Sequence, residues 1–193
     1  MTEHIHDDIL YGRRSLKDGI PWITPESFDH VESLVQSNWN VFEWGAGGST
    51  IYWARHCAHV ISVEHNSEWI RRVKEMFAKF RVDVSRINLV YKRGLPESEK
   101  DRFRPYADVI LDYPDESFDL VFVDGEASSR GWCLTNAMLK VKMGGILLLD
   151  NSDWLKREIG DEWKRTDYVE KDLEWVGQSG TFDWWTSIFV KGS

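Results

Sequence analysis

Residues 41–65 read VFEWGAGGSTIYWARHCAHVISVEH. A short apolar run around Val41 and Phe42 breaks into Gly45-Ala46-Gly47-Gly48. Ser49 and Thr50 then open a helical segment with Ile51, Trp53 and Ala54 on its apolar face, and a second apolar run, Val60 to Val63, follows. The order is strand, glycine turn, helix, strand, and each strand carries an acid at its end, Glu43 and Glu64. Glycines let the backbone approach a ligand closely, and a carboxylate after the second strand can take the hydroxyls of a ribose. The pattern is that of a grip on a nucleoside-bearing cofactor.

The details of the turn narrow the choice of cofactor. A dinucleotide fingerprint ends on Gly or Ala, and here the last small position is Thr50. A P-loop needs Gly-Lys-Ser/Thr after the turn, which is absent. Glu43, two residues ahead of Gly45, would repel a pyrophosphate and suits a cationic ligand. On these residues, VFEWGAGGST resembles the first motif of the Rossmann-like, class I S-adenosylmethionine-dependent methyltransferases, and VISVEH resembles their second-strand motif. Glu43, Gly45, Gly47 and Glu64 match the motif positions. The resemblance implies a glycine turn under the methionine moiety and an acid holding the ribose. It implies a cofactor-contacting set of Glu43, Gly45, Ala46, Gly47, Ser49, Thr50, Glu64 and His65, continued after later strands by Arg93, Gly94, Asp124 and Gly125. It covers residues 21–191.

Composition sets the frame. A chain of 193 residues is one domain by length. A flexible N-terminal tail is expected over 1–20 and a single domain over 21–193. The net charge of −8 argues against a surface that tracks nucleic-acid phosphates. Cys57 and Cys133 read as buried free thiols of a reducing compartment. No apolar run approaches the ~20 residues of a membrane helix, and the N-terminus MTEHIHDDIL has no signal-peptide character. A cytoplasmic protein without membrane contact is the expectation. His4, His6, Asp7 and Asp8 read as tail residues rather than metal ligands. Eleven tryptophans are an excess, with Trp154, Trp163, Trp175, Trp184 and Trp185 near the C-terminus. They serve core packing, an aromatic-lined substrate pocket or a homodimer interface.

Along the chain, Thr24-Pro25-Glu26 signals a helix start with Thr24 as cap. Strands are expected at Asn40–Glu43, Val60–Val63, Ile87–Tyr91, Phe118–Val123 and Ile146–Asp150, the last after a Gly144-Gly145 turn. Helices are expected from Asn66 or Ser67, over Tyr106–Leu111 and Trp132–Val141, and from Ser152 or Asp153 to Ile159. Two more strands, 167–175 and 184–191, have no helical-length crossover between them and should form an antiparallel hairpin. The fold class is therefore α/β, a three-layer sandwich on a mostly parallel sheet that ends in a hairpin. The resemblance implies seven strands in the order 3-2-1-4-5-7-6.

In an open α/β sheet the ligand lies over the carboxyl ends of the strands. Those ends carry Glu43, Glu64, Asp124 and the pair Asp150-Asn151. FVDG followed by GGILLLDN also resembles the catechol and caffeoyl-coenzyme A O-methyltransferases. There, an Asp after strand four and an Asp-Asn pair after strand five hold a divalent metal. The resemblance makes Asp124, Asp150 and Asn151 metal candidates, with Mg²⁺ suited to oxygen ligands. The segment after Asp124, Gly125-Glu126-Ala127-Ser128-Ser129-Arg130, departs from those enzymes. Asp124 and Asp150 are the catalytic candidates, as general base. His65 reads as a cofactor-side neighbour. Arg93 and Arg130 either recognise an anionic substrate or are solvated.

The expected activity is S-adenosylmethionine-dependent methylation, at oxygen, of a small molecule. A methyltransferase acting on nucleic acid or protein is the alternative within enzymes. The Asn/Asp-Pro-Pro-aromatic motif of amino-methylating DNA enzymes is replaced here by Asp124-Gly125-Glu126-Ala127. A non-catalytic Rossmann-like binding module is the alternative outside them.

Overall fold

The computed structural model describes residues 15–156, 159–174 and 181–192. Strands β1 (Asn40–Trp44), β2 (His59–Glu64), β3 (Ile87–Tyr91), β4 (Phe118–Val123), β5 (Val141–Asp150), β6 (Trp163–Glu174) and β7 (Thr181–Lys191) form one sheet. Its order is β3-β2-β1-β4-β5-β7-β6. The first five strands pair in parallel, and β7 runs antiparallel to both β5 and β6. This is the expected sandwich, strand order and terminal hairpin.

Side-chain alternation builds two faces. Leu120 and Phe122 of β4 point to one side with Val41, Val60, Leu148 and Ile188. Val121 and Val123 point to the other with Phe42, Trp44, Leu147 and Leu149. Strands covered on both faces read as nearly continuous apolar runs, which is why FDLVFV and ILLLD stood out. The first face is covered by α1 (Pro25–Leu34), through Val31, and by α2 (Gly48–His56), through Tyr52, Trp53 and Ala54. The second is covered by the short α4 (Arg104–Ala107), which brings Tyr106 and Ala107, and by α5 (Arg130–Ala137), which brings Cys133, Leu134 and Ala137. Helix α3 (Ser67–Lys79) adds Val73 and Phe77 to a smaller cluster with Leu16, Ala46 and Ile51. Cys57 and Cys133 are both free and buried. Among the described residues no helix is long and apolar enough to cross a membrane.

Several local expectations change. Residues 1–14 of the assigned tail, including His4, His6, Asp7 and Asp8, lie outside the described residues, as does Trp175. Residues 15–20 belong to the folded body: 15–18 make a helical turn, and Ser15 and Leu16 are buried. A Cβ on Gly48 would come within 2.1 Å of the Ser15 carbonyl oxygen and 2.3 Å of that of Ile20. This segment therefore lies on the start of α2, and Gly48 is the residue that lets it come so close.

Thr24 precedes α1, but its hydroxyl donates to Ser27 Oγ (2.9 Å) and caps no backbone amide. Asn66 is the cap of α3 and accepts the Trp69 N–H (3.1 Å). The helix expected over Tyr106–Leu111 is α4 followed by a 3-10 turn, Asp108–Asp112. Helix α5 starts at Arg130 and ends at Ala137, because β5 already begins at Val141 and runs through Gly144-Gly145. The helix expected after Asn151 is only a 3-10 turn, Ser152–Trp154, since Leu155 returns to extended backbone. The hairpin strands are longer than expected.

Candidate functional site

The glycine turn is fixed from three sides. Gly45 N–H donates to the Val63 carbonyl of β2 (2.8 Å), and Asp124 N–H donates to the Trp44 carbonyl (3.2 Å). From α3, Trp69 Nε1 donates to the Ala46 carbonyl (2.5 Å). Gly45 has φ +95° and Gly125 φ +70°, in the half of backbone space that favours glycine. A Cβ on Gly45 would lie 2.7 Å from the Gly125 nitrogen, and one on Gly125 would lie 3.0 Å from the Gly45 nitrogen. The exits of β1 and β4 therefore touch backbone to backbone. Gly47 differs: nothing lies within 4 Å of where its Cβ would be. At that point the turn faces open space. Its N–H reaches the Thr50 hydroxyl (2.9 Å), which closes the first turn of α2.

Glu43 is fully buried. Thr50 Oγ1 donates to its Oε1 and Trp53 Nε1 to its Oε2 (3.2 Å). Burial pushes its carboxyl up to about 7, against the opposing pull of hydroxyls from Thr50, Ser49 and Ser62. Glu43 was expected to suit a cationic ligand, and Ser49 and Thr50 to contact the cofactor; as placed, the side chains of all three are buried. All three side chains turn inward, and they set the angle at which α2 leaves the turn. Their backbone stays at the turn.

Glu64 ends β2 beneath the turn and is buried. Its Oε2 accepts the Ala46 N–H (3.2 Å), and its Oε1 accepts the N–H groups of His65 and Asn66 (2.8 Å each). A carboxylate has about four acceptor positions, so one stays open. Glu64 was expected to take the hydroxyls of a ribose; as placed, three backbone N–H groups already use most of its acceptor positions. His65 Nδ1 sits 3.1 Å from Glu64 Oε1, and Glu64 holds the imidazole above its usual range. The ring packs edge-on to Phe103 and Tyr106.

Tyr106 was not expected here. A Cβ on Gly125 would lie 2.4 Å from the Tyr106 hydroxyl, which marks that oxygen at the β1–β4 junction. The hydroxyl is buried without a hydrogen-bond partner among the described residues. Burial pushes it well up, with Glu64 adding to the effect. Sequence periodicity placed Tyr106 only as the first residue of a short helix and gave no sign of its direction. Of the remaining cofactor candidates, Gly94 lies against Phe103 and Arg93 is exposed beyond β3.

The acids after β4 and β5 come together through Arg130. Its Nη2 donates to Asp124 Oδ1 (2.8 Å). Its Nη1 donates to the Asp150 carbonyl and to Asn151 Oδ1, both at 2.6 Å. Arg130 is only 6% exposed, so it is not a solvated arginine, and its charge goes to the protein's own oxygens. Asp150 turns toward the hairpin, where its Oδ1 accepts Trp184 Nε1 (2.9 Å) and Thr186 Oγ1 (3.1 Å). Burial first, and then neighbouring Asp124, push the Asp150 carboxyl up to about 7. Burial also raises Asp124 against the pull of Arg130. Asp124 keeps some exposed side-chain surface.

The three residues expected to bind Mg²⁺ do not fit that ion in this arrangement. Three of their oxygens, Asp124 Oδ1, Asn151 Oδ1 and the Asp150 carbonyl, are taken by a cation already in place, and Asp150 Oδ1 by the hairpin. Among the described residues, no three His, Cys, Asp or Glu side chains are grouped to hold a metal.

No protein-family model and no curated protein matches the sequence. Solved structures do match. The O-methyltransferase TomG from Streptomyces achromogenes, in complex with S-adenosylmethionine, superposes over 100% of both chains with a TM-score of 0.65 at 15% identity. The chain has the Rossmann-like fold of the class I S-adenosylmethionine-dependent methyltransferases. A caffeoyl-CoA O-methyltransferase-like protein from Staphylococcus aureus shares this methyltransferase fold, with a TM-score of 0.63 over 96% of this chain and 92% of that one at 14% identity. So does an rRNA methylase from Streptococcus thermophilus, with a TM-score of 0.63 over 87% and 95% at 10% identity. These superpositions show the fold that the sequence resemblance implied.

Proposed function

We propose that the protein is an S-adenosylmethionine-dependent methyltransferase that methylates an oxygen of a small molecule. The observation that carries this reading is the turn between β1 and α2. It is pinned by β2, β4 and α3, yet faces open space at Gly47, and it stands directly over the buried carboxylate of Glu64. The residues fit a nucleoside cofactor. Glu64 has an acceptor position left for a ribose hydroxyl, and the unpartnered Tyr106 hydroxyl lies at the same junction. Gly47, Glu64, His65 and Gly125 are the residues that would hold it. The bound cofactor supplies a methyl group already activated on a sulfonium, so the protein needs only to align, to exclude water and to move one proton. Asp124, the more exposed of the two candidate bases, is the carboxylate that can reach an acceptor hydroxyl. Asp150, held by Trp184 and Thr186, positions the β5 exit. Two features support a small acceptor: net charge −8 and the O-methyltransferases among the structural neighbours.

Isothermal calorimetry with S-adenosylhomocysteine checks the cofactor. One molecule per chain is expected to bind, and Glu64→Gln is expected to weaken binding about ten-fold, which is ~1.4 kcal/mol. No heat from the folded wild-type protein at millimolar ligand would leave a binding module without this cofactor as the better reading.

A further inference from the structure

We propose that Arg130 takes the place of a divalent cation: its guanidinium is the built-in positive charge that joins Asp124 to the Asp150-Asn151 pair and closes the ends of β4 and β5 without metal. The inference concerns the acceptor side of the methyltransferase reading and takes its functional meaning from it.

The argument is one of geometry and charge. One buried side chain spans both strand exits, with Asp124 Oδ1 on Nη2 and the Asp150 carbonyl and Asn151 Oδ1 on Nη1. Such a fork suits several oxygens held at fixed separation. Arg130 is the first residue of α5, which Cys133, Leu134 and Ala137 fix to the sheet. The guanidinium is therefore placed by the fold rather than by a flexible stem. Asn151 has φ +47°, in the left-handed region that Asn tolerates, and its amide oxygen meets the guanidinium from there. A hard cation needs six or more oxygen ligands close around it. At this position Asp124 Oδ1, Asn151 Oδ1 and the Asp150 carbonyl already accept N–H donors, and a second cation would sit beside the first. Without Arg130, Asp124 and the buried Asp150 at the next strand exit would be left with no positive charge beside them. That is the condition under which a carboxylate set draws a metal.

The test uses Mn²⁺ as probe on the full chain. Wild type, Arg130→Ala, Arg130→Lys and the double variant Arg130→Ala/Asp124→Asn are titrated with Mn²⁺ by electron paramagnetic resonance and melted with and without it. Wild type and Arg130→Lys are expected to leave the free-Mn²⁺ signal unchanged, with the melting temperature insensitive to EDTA. Arg130→Ala is expected to melt lower, to bind one Mn²⁺ and to regain stability with it. The double variant is expected to lose that binding. The proposal is overturned if wild type binds Mn²⁺ in a way that Asp124→Asn abolishes. It is equally overturned if Mn²⁺ neither binds nor restores Arg130→Ala, whether that variant is folded or unfolded without metal. Calorimetry of wild type with S-adenosylhomocysteine after EDTA treatment separates the two readings. Failure there removes the cofactor assignment and leaves the Mn²⁺ result standing.

Discussion

Glu43→Gln is expected to make the protein more stable at pH 8 by about 3 kcal/mol, with little change at pH 4. Glu43 has no exposed surface, and its folded carboxyl is pushed up to about 7 from an ordinary 4.5. A raised carboxyl means that the folded state holds the proton more tightly than the unfolded chain. Below the unfolded value both states are protonated and the full stability is present. Between 4.5 and about 7 the unfolded chain gives up its proton first, so stability falls as pH rises and levels off above the folded value. Glutamine stays neutral and removes this part of the slope. Its amide can still accept from Trp53 and donate to Thr50, so the geometry at the start of α2 is kept. Urea midpoints at pH 4, 6 and 8 read the effect. Wild type should lose midpoint over this range, and the variant should lose less. Asp150, also pushed up to about 7, keeps a residual slope in both. Parallel slopes would show that Glu43 is ionised throughout, so that the donors from Thr50 and Trp53 outweigh its burial.

This placement also shows what a sequence can and cannot reveal here. The strand order and hairpin were legible because apolar runs and glycine turns are local, and a buried parallel strand is a continuous run. Glu64 was legible for the same reason: a strand end fixes where its residue sits. Glu43 looked equivalent in the string but differs in the fold. Glu43 pairs with Ser62 in the register of β1 and β2, so it lies under α2 with Thr50 and Trp53, while Glu64 on the same face stands two residues further along, past the last paired residue of β1. Depth along the strand, not the face, separates the two acids. The acid and its donors are seven and ten residues apart, and a helical path brings them together without leaving any compositional trace. Arg130 was visible as a charge, but nothing in the sequence told a solvated arginine from a buried one. That distinction rests on α5 starting at Arg130 and on β5 presenting Asp150 and Asn151 beside it. Tyr106 depends on a segment, 93–112, whose prolines and charges hide its direction. The packing of residues 15–20 on Gly48 was missed because one leucine, Leu16, makes no periodic pattern.

Gly45→Ala is expected to have the largest effect: a loss of about 3–5 kcal/mol of stability and at least ten-fold weaker S-adenosylhomocysteine binding. Two independent demands fall on this position. Its φ of +95° is a conformation that an L-residue adopts only under strain. The added methyl would also lie 2.7 Å from the nitrogen and 2.9 Å from the Cα of Gly125, both backbone atoms with no rotamer to turn away. Relief requires the β1 and β4 exits to separate, and this pulls on the Gly45–Val63 and Asp124–Trp44 hydrogen bonds at once. The same separation carries Ala46 away from Glu64 Oε2 and opens the turn over the ribose position. Gly47→Ala is the control, since nothing lies within 4 Å of its missing Cβ and its φ of −179° is extended backbone open to any residue. It should melt within a few degrees of wild type, while its methyl projects into the space assigned to the cofactor and weakens binding. Gly45→Ala should therefore lose stability and affinity together, and Gly47→Ala affinity alone. Equal melting temperatures for Gly45→Ala and wild type would mean that the two turns are not in contact as described. Unchanged affinity in Gly47→Ala would place the ligand elsewhere along the sheet.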